Sequence, residues 1–291
     1  MREVLLPLIQ QAYVRVFEST RGEDPENWTF IGKQEFGPFA PFQLPSGFTM
    51  VQEAFVQDMV IPFFKTDKTQ IPFGFLVEGE KYFVLVFRGT VAPVEWINNG
   101  FFLQRDFRCD GVEEGLELKV HGGFLDMFKM VRTTLKPGIE QLEKANKPLV
   151  ITGHSLGSAI AQMAALWLAK YDPEVVTFGG PRVGSPDFVK HYNNTIRKST
   201  RVVNGFDPVP ALPPKLVLEK GKEIYKHTKT EQNIYAGIKK LEGWKQITDP
   251  DVLYSHLPTT YLKALQNALH DLESSQDGTI NRLSSAEEAP D

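Results

Sequence analysis

A chain of 291 residues with 42% hydrophobic content can bury a large core, as one big α/β domain or two small ones. Its 32 basic and 36 acidic residues leave a formal net charge of -4, and no run of Lys and Arg is dense enough to follow a phosphate backbone, which argues against a nucleic-acid partner. The one cysteine, Cys109, excludes an intrachain disulfide, and the lack of any CxxC or Cys/His cluster excludes a zinc-thiolate site of the usual spacing.

In chain order, "MREVLLPLIQQAYVRVF" is an apolar stretch broken by Pro7, Gln10, Gln11 and Arg15, the pattern of an amphipathic helix and not of a signal peptide. No segment holds the roughly 18 uninterrupted apolar residues that a membrane span needs. A soluble protein is expected, with a cytoplasmic location favoured over secretion on a leader preceding this numbering. A Gly/Pro-rich stretch follows, whose Trp28, Phe30, Phe36, Phe39 and Phe42 suggest an irregular segment packed onto the domain. "PFGFLVEGEKYFVLVFRGT" reads as a hairpin turning near Gly79. Residues 124 to 144 are helical, with Phe124, Met127, Phe128, Val131, Leu135, Ile139 and Leu142 at spacings of three and four. "PLVIT", "EVVTFGG" and "TRVVN" are short apolar runs separated by helical patterns at 157 to 170 and 186 to 196. Short buried strands alternating with helices predict a mainly parallel sheet covered on both faces. The last strong helix covers about 257 to 272, and the polar, acidic 274 to 291 reads as a disordered tail, leaving 1 to 273 as a single domain.

Within "VITGHSLGSAIAQMAAL", Ser155 stands between Gly153 and Gly157, where an apolar strand gives way to an alanine-rich helix. A sharp strand-to-helix turn brings neighbouring backbone so close that the residues two before and two after its centre must lack a Cβ. Such a turn lifts Ser155 Oγ above the sheet edge while the following helix points N–H groups at whatever binds there. Ala159, Ala161, Ala164 and Ala165 allow that helix to lie close to the strand.

A serine hydroxyl is a weak nucleophile until a general base takes its proton, so the pattern calls for a histidine and an acid that orients it. Asp207, in "RVVNGFDPVPALPP", stands just past the second strand after the serine, in a loop stiffened by Pro208 and Pro210. Asp172 and Asp187 read instead as a turn residue and a helix-start residue. Of the histidines beyond Asp207, His256 in "DVLYSHLPTTYL" lies in a loop between apolar contacts just before a helix, whereas His227 is in a Lys-rich segment and His270 on the polar side of the last helix. His256 is therefore the expected base, and His154, inside the turn, a packing or hydrogen-bonding residue. Two places compete to supply the oxyanion donors: Thr90, where "VLVFRGT" opens into a loop and whose N–H would join that of Leu156, and "HGG" at 121 to 123. Thr90 is favoured, because HGG has only two glycines and runs straight into a helix. "GGPRVG" lacks the Lys-Ser/Thr of a phosphate loop and is read as a structural turn.

"VFRGT", "EWINN", "VHGGF", "VITGHSLGSA", "TFGGPRVG", "NGFDPVPALPP" and "YSHLPTTYL", in that order over residues 70 to 265, resemble the motif set of the class 3 lipases, an α/β-hydrolase family of triacylglycerol lipases and related esterases. The resemblance implies an α/β-hydrolase fold, a triad of Ser155, Asp207 and His256, an oxyanion hole of Thr90 and Leu156, and a structural His121. It implies hydrolysis of acylglycerol fatty-acid esters through an acyl-enzyme, without metal or organic cofactor, on a lipid ester at a lipid-water interface. Phospholipase A1 or feruloyl-type esterase activity is the alternative on the same scaffold, and a catalytically silent lipid-binding protein the alternative from another class. Ser158 departs from the Gly or Ala common at its position, a small change that should leave the turn intact. The disulfides of many secreted members are impossible here.

Directly after Thr90, "VAPVEWINNGFF" sets Val91, Val94, Ile97 and Phe101 on one apolar helical stripe, with Pro93 tolerable only in a first turn. The position matches where class 3 lipases carry a lid with a similarly placed Trp, here Trp96. A short helix that gates the site is expected.

Overall fold

The structure is a computed structural model that describes residues 2–19, 41–57, 70–90, 102–113, 115–215, 217–218, 222–234 and 255–266. Helix α1 is Arg2–Ser19, followed by β1 (Phe48–Val56), β2 (Ile71–Gly79), β3 (Phe83–Phe87), β4 (Gln104–Asp106), β5 (Lys119–His121) and α2 (Gly122–Ala145). Then come β6 (Leu149–His154), α3 (Leu156–Trp167), β7 (Glu174–Phe178), α4 (Pro186–Thr195), β8 (Lys198–Asn204), β9 (Val217–Leu218), β10 (Lys222–Glu223) and β11 (Glu231–Ile234). Seven strands form one sheet in the order β1-β2-β3-β6-β7-β8-β11. It is parallel from β3 to β11, and β1 and β2 extend it antiparallel.

All six residues of β6 are buried, as a central parallel strand covered on both faces requires. On one side α1 presents Leu5, Leu8, Ile9, Ala12 and Val16, all buried, and Phe75 of β2 meets the edge of Phe42 there. The next residue, Leu76, points the opposite way, against Gly138 of α2. The period-two alternation of a strand thus puts α1 and α2 on opposite faces. The four alanines of α3 are buried against the sheet beside α2.

Local signals end these elements where the sequence expects. Ser185 caps α4 by accepting the Phe188 N–H, with Pro186 and Asp187 in the first turn. Asp172 sits in a left-handed turn, and Asn146 ends α2 in the same conformation. Strand β1 had no clear sequence pattern, because register shifts between Met50 and Gln52 and between Ala54 and Phe55 break its alternation. Among the described residues no helix is long and apolar enough to cross a membrane, and no group of His, Cys, Asp and Glu could hold a metal ion.

Candidate active site

Ser155 joins β6 to α3 with φ 55 and ψ -128, a conformation that costs energy for an L-residue and persists only where its surroundings over-determine it. Those surroundings are visible. A Cβ on Gly153 would strike the backbone of Gly157, and a Cβ on Gly157 would strike the carbonyl oxygens of Arg88 and Phe87. The Ser155 N–H donates to the Phe178 carbonyl at 2.9 Å, tying the turn to β7. Ser158 strengthens it: its hydroxyl lies 2.8 Å from the Gly153 carbonyl and 3.0 Å from that of Phe178, bridging β6 and β7. Leu156 opens α3 and carries one of the N–H groups that a helix start leaves without an intrahelical acceptor.

Asp207 follows β8 in a loop that its own carboxylate organises. Oδ1 accepts the Val209 N–H at 2.9 Å, while Oδ2 accepts His256 Nδ1–H at 2.7 Å and the Tyr261 hydroxyl at 2.6 Å. With the carboxylate as acceptor, His256 donates from Nδ1, and Nε2 is the nitrogen left to serve as base. Nε2 is buried and has no hydrogen-bond partner among the described residues. The structure therefore makes the Asp207–His256 contact but not a Ser155–His256 hydrogen bond. Catalytic hydrogen bonds are often long before substrate binds. Ser155, Asp207 and His256 are all buried. The His256 loop is pinned to the end of β8 by Asn204 Nδ2, which donates to the Ser255 carbonyl at 2.9 Å, and by Ser255 Oγ, which donates to the Phe206 carbonyl at 2.9 Å. Gly179, at φ 57, passes so close that a Cβ would lie 2.7 Å from Asp207 Oδ2 and 3.2 Å from His256 Cε1.

At the end of β3, Gly89 packs on Ser155: a Cβ on Gly89 would lie 2.6 Å from Ser155 Cβ. Thr90, the next residue, is buried. The Arg88 guanidinium, fully buried, donates from Nε to the Pro72 carbonyl at 2.9 Å and from an Nη to the Gly89 carbonyl at 2.7 Å. Burial lowers its pKa to about 10, which leaves it charged at neutral pH. Since the carbonyl of a trans peptide points opposite to its N–H, holding the Gly89 oxygen sets the direction of the Thr90 N–H. The competing HGG segment has its donors engaged: Gly122 N–H goes to the Leu103 carbonyl and Gly123 N–H to His121 Nδ1. His121 caps α2 and stacks on Phe124, a structural role.

The remaining candidates fall away from the chemistry. His227 lies 2.7 Å from the Pro210 carbonyl, with its pKa pushed down to about 3 by burial and then by Arg201. Cys109 is a thiol pushed up to about 12 by burial, so it is not an available thiolate. "GGPRVG" is a brace: the Arg182 side chain donates to the carbonyls of Ala211 and Pro213, in the loop that follows Asp207. His270 and the expected lid residues Val91, Val94, Trp96, Ile97 and Phe101 lie outside the described residues.

Three residues at the site were not singled out from the sequence: Arg88, Tyr261 and Tyr13, whose hydroxyl accepts the Gly89 N–H at 2.9 Å. A signal existed for Tyr13, since a hydroxyl on the apolar face of a helix must find a polar partner when buried.

Residues 84–217 match the family model described as Lipase (class 3). Similar curated proteins include secreted mono- and diacylglycerol lipase 1 of Fusarium solani, 37% identical over 138 residues, 46% of this chain and 40% of that protein. A chloroplastic/mitochondrial phospholipase A1 of Oryza sativa subsp. indica is 32% identical over 159 residues, 46% of this chain and 37% of that protein. A solved lipase from Rhizopus microsporus var. chinensis shares the fold at a TM-score of 0.56 and 22% identity, over 80% of this chain and 72% of that one. The match spans 40% and 37% of the length of these two curated relatives.

Proposed function

We propose that the chain, whose residues 84–217 match the class 3 lipase model, is a serine ester hydrolase of that family acting on acylglycerol fatty-acid esters. The observation that carries the proposal is the buried Asp207–His256 contact at 2.7 Å, which leaves His256 Nε2 without a hydrogen-bond partner among the described residues, together with the strained turn at Ser155. Ser155 Oγ attacks the ester carbonyl while His256 Nε2 takes its proton. Asp207 holds the tautomer and stabilises the imidazolium. The tetrahedral oxyanion is received by the N–H groups of Thr90 and Leu156. His256 returns the proton to the departing alcohol, and water activated by the same nitrogen releases the fatty acid.

The substrate we propose is a lipid ester met at a lipid-water interface. Support comes from the relatives, one named as a mono- and diacylglycerol lipase and another as a phospholipase A1. The test is labelling by an active-site serine phosphonate in the parent and in Ser155→Ala, beside hydrolysis of p-nitrophenyl esters of rising chain length, a phospholipid and a triglyceride emulsion. Labelling confined to the parent, with turnover of the emulsion, is the expected result. Preference for phospholipid would move the assignment to phospholipase A1, and neither labelling nor turnover would leave a silent lipid-binding fold.

A further inference from the structure

Three catalytic segments, far apart in the chain, meet through Tyr13 and His154. Tyr13 Oη accepts the Gly89 N–H at 2.9 Å and lies 2.9 Å from His154 Nδ1, and His154 Nε2 lies 2.7 Å from the main-chain carbonyl of His256. A carbonyl can only accept, so the His154 proton is on Nε2. Burial, and then the adjacent His256 ring, hold His154 well below its ordinary pKa, so the ring is neutral and Nδ1 is bare. A bare nitrogen accepts, and Tyr13 O–H donates to it. The bonds therefore run in one direction: Gly89 N–H to Tyr13, Tyr13 O–H to His154, His154 Nε2–H to the backbone of His256.

We propose that Tyr13 and His154 are positioning residues that set the end of β3, the serine turn and the base loop in register with one another. The inference rests on the esterase reading above. Gly89 is fixed at both ends, its N–H by Tyr13 and its carbonyl by Arg88, so the peptide that presents the Thr90 N–H has little freedom to turn. The His154 and His256 rings lie 4.6 Å apart and inclined by 34°. His256 becomes an imidazolium during the reaction, and a second proton on His154 would oppose it. By donating to Nδ1, Tyr13 occupies the one position where His154 could take that proton. The device depends on α1, whose Tyr13 meets His154 across 141 residues.

The deciding measurement is kcat per active site titrated with a serine phosphonate, which counts only assembled sites. Tyr13→Phe keeps the ring and removes the hydroxyl, and His154→Gln keeps a donor toward the His256 carbonyl. Each is expected to lower kcat per titrated site by about tenfold to a hundredfold, the effect of a small misplacement of reacting groups. KM for a soluble short-chain ester should stay within about twofold, and the double variant should lose little more than the worse single one. A lower melting temperature with kcat per titrated site unchanged, or losses that simply multiply, would overturn the proposal and leave Tyr13 as a helix anchor. Nitrogen-15 spectra of the parent give an independent readout: His154 should be neutral with its proton on Nε2, and the other tautomer or a charged ring would overturn it as well. A parent without any esterase activity would overturn the esterase reading instead, and with it the positioning role, whatever the tautomer.

Discussion

The hydroxyl of Tyr261 lies 2.6 Å from Asp207 Oδ2, the same oxygen that holds His256 Nδ1–H. It also accepts the Asn204 N–H at 3.0 Å, so one side chain ties the carboxylate to the last residue of β8. Burial, followed by the charge of Asp207, pushes the phenol pKa well above 10 and keeps the proton on the oxygen. Two donors thus divide the negative charge of one oxygen, and the share left for the imidazole is smaller than in a two-residue pair.

Tyr261→Phe should therefore lower the rate. The carboxylate loses one of its donors and its tie to Asn204, and kcat should fall by about tenfold, the worth of one hydrogen bond to a charged group. A kcat on a soluble ester equal to the parent's, with a lower melting temperature, would show that Tyr261 only anchors the chain around it.

The histidines separate by what their nitrogens already do. His256→Ala should lower kcat by about 10⁶, as removal of a triad base does elsewhere. His227→Ala should keep most of the activity, because its ring is hydrogen-bonded to the Pro210 carbonyl. Steady-state kinetics on a soluble ester, with circular dichroism to establish folding, decides the matter; a folded but inactive His227→Ala would require a different base.

Ser158→Ala removes a hydroxyl shared between two strand carbonyls without changing the backbone. The loss should be about 1 kcal/mol of stability, read from urea unfolding, with kcat close to the parent's. Ser158→Val places a larger side chain opposite Gly180, where the Ser158 Cβ already leaves no room for another, and should be much more damaging.

Acid should destabilise the fold through His154 and His227, whose folded pKa values both lie below the reference of 6.5, to about 3 for His227. Above about pH 6.5 both rings are neutral whether the chain is folded or not, and they contribute no pH dependence. As pH falls below that, the unfolded chain binds protons that the folded chain excludes, and stability drops by about 1.4 kcal/mol per pH unit for each ring until its folded value is reached. For His227 this window runs from about 6.5 down to about 3. Urea midpoints measured across it should fall less steeply for His227→Gln than for the parent; equal slopes would mean that His227 is not buried as a neutral ring.

The parts of this site legible in the sequence are those fixed by local pattern. Gly153 and Gly157 flank Ser155 because backbone contacts leave no space for a Cβ, and β6 is continuously apolar because helices cover both its faces. Asp207 and His256 could be chosen because each follows a strand or precedes a helix at the sheet's working edge. What escaped was set by distance in the chain. Tyr13 meets His154 across 141 residues and Tyr261 meets Asp207 across 54, and no spacing rule links such positions. Strand β11, with the sequence EQNI and two exposed residues, escaped because a short polar edge has no apolar signature.

Tyr13 and His256 also bear on when the molecule acquires its chemistry. During synthesis the N-terminal helix, the serine turn and Asp207 all emerge before Ser255, so a growing or prematurely ended chain can form the nucleophile turn without its base and without the Tyr261 brace. Contacts that join such distant positions also carry a loop-closure cost, because the intervening chain must be brought together before they are made. In the proposed mechanism hydrolysis waits until His256 is in place, and a product that ends before it would be inert even with Ser155 correctly folded.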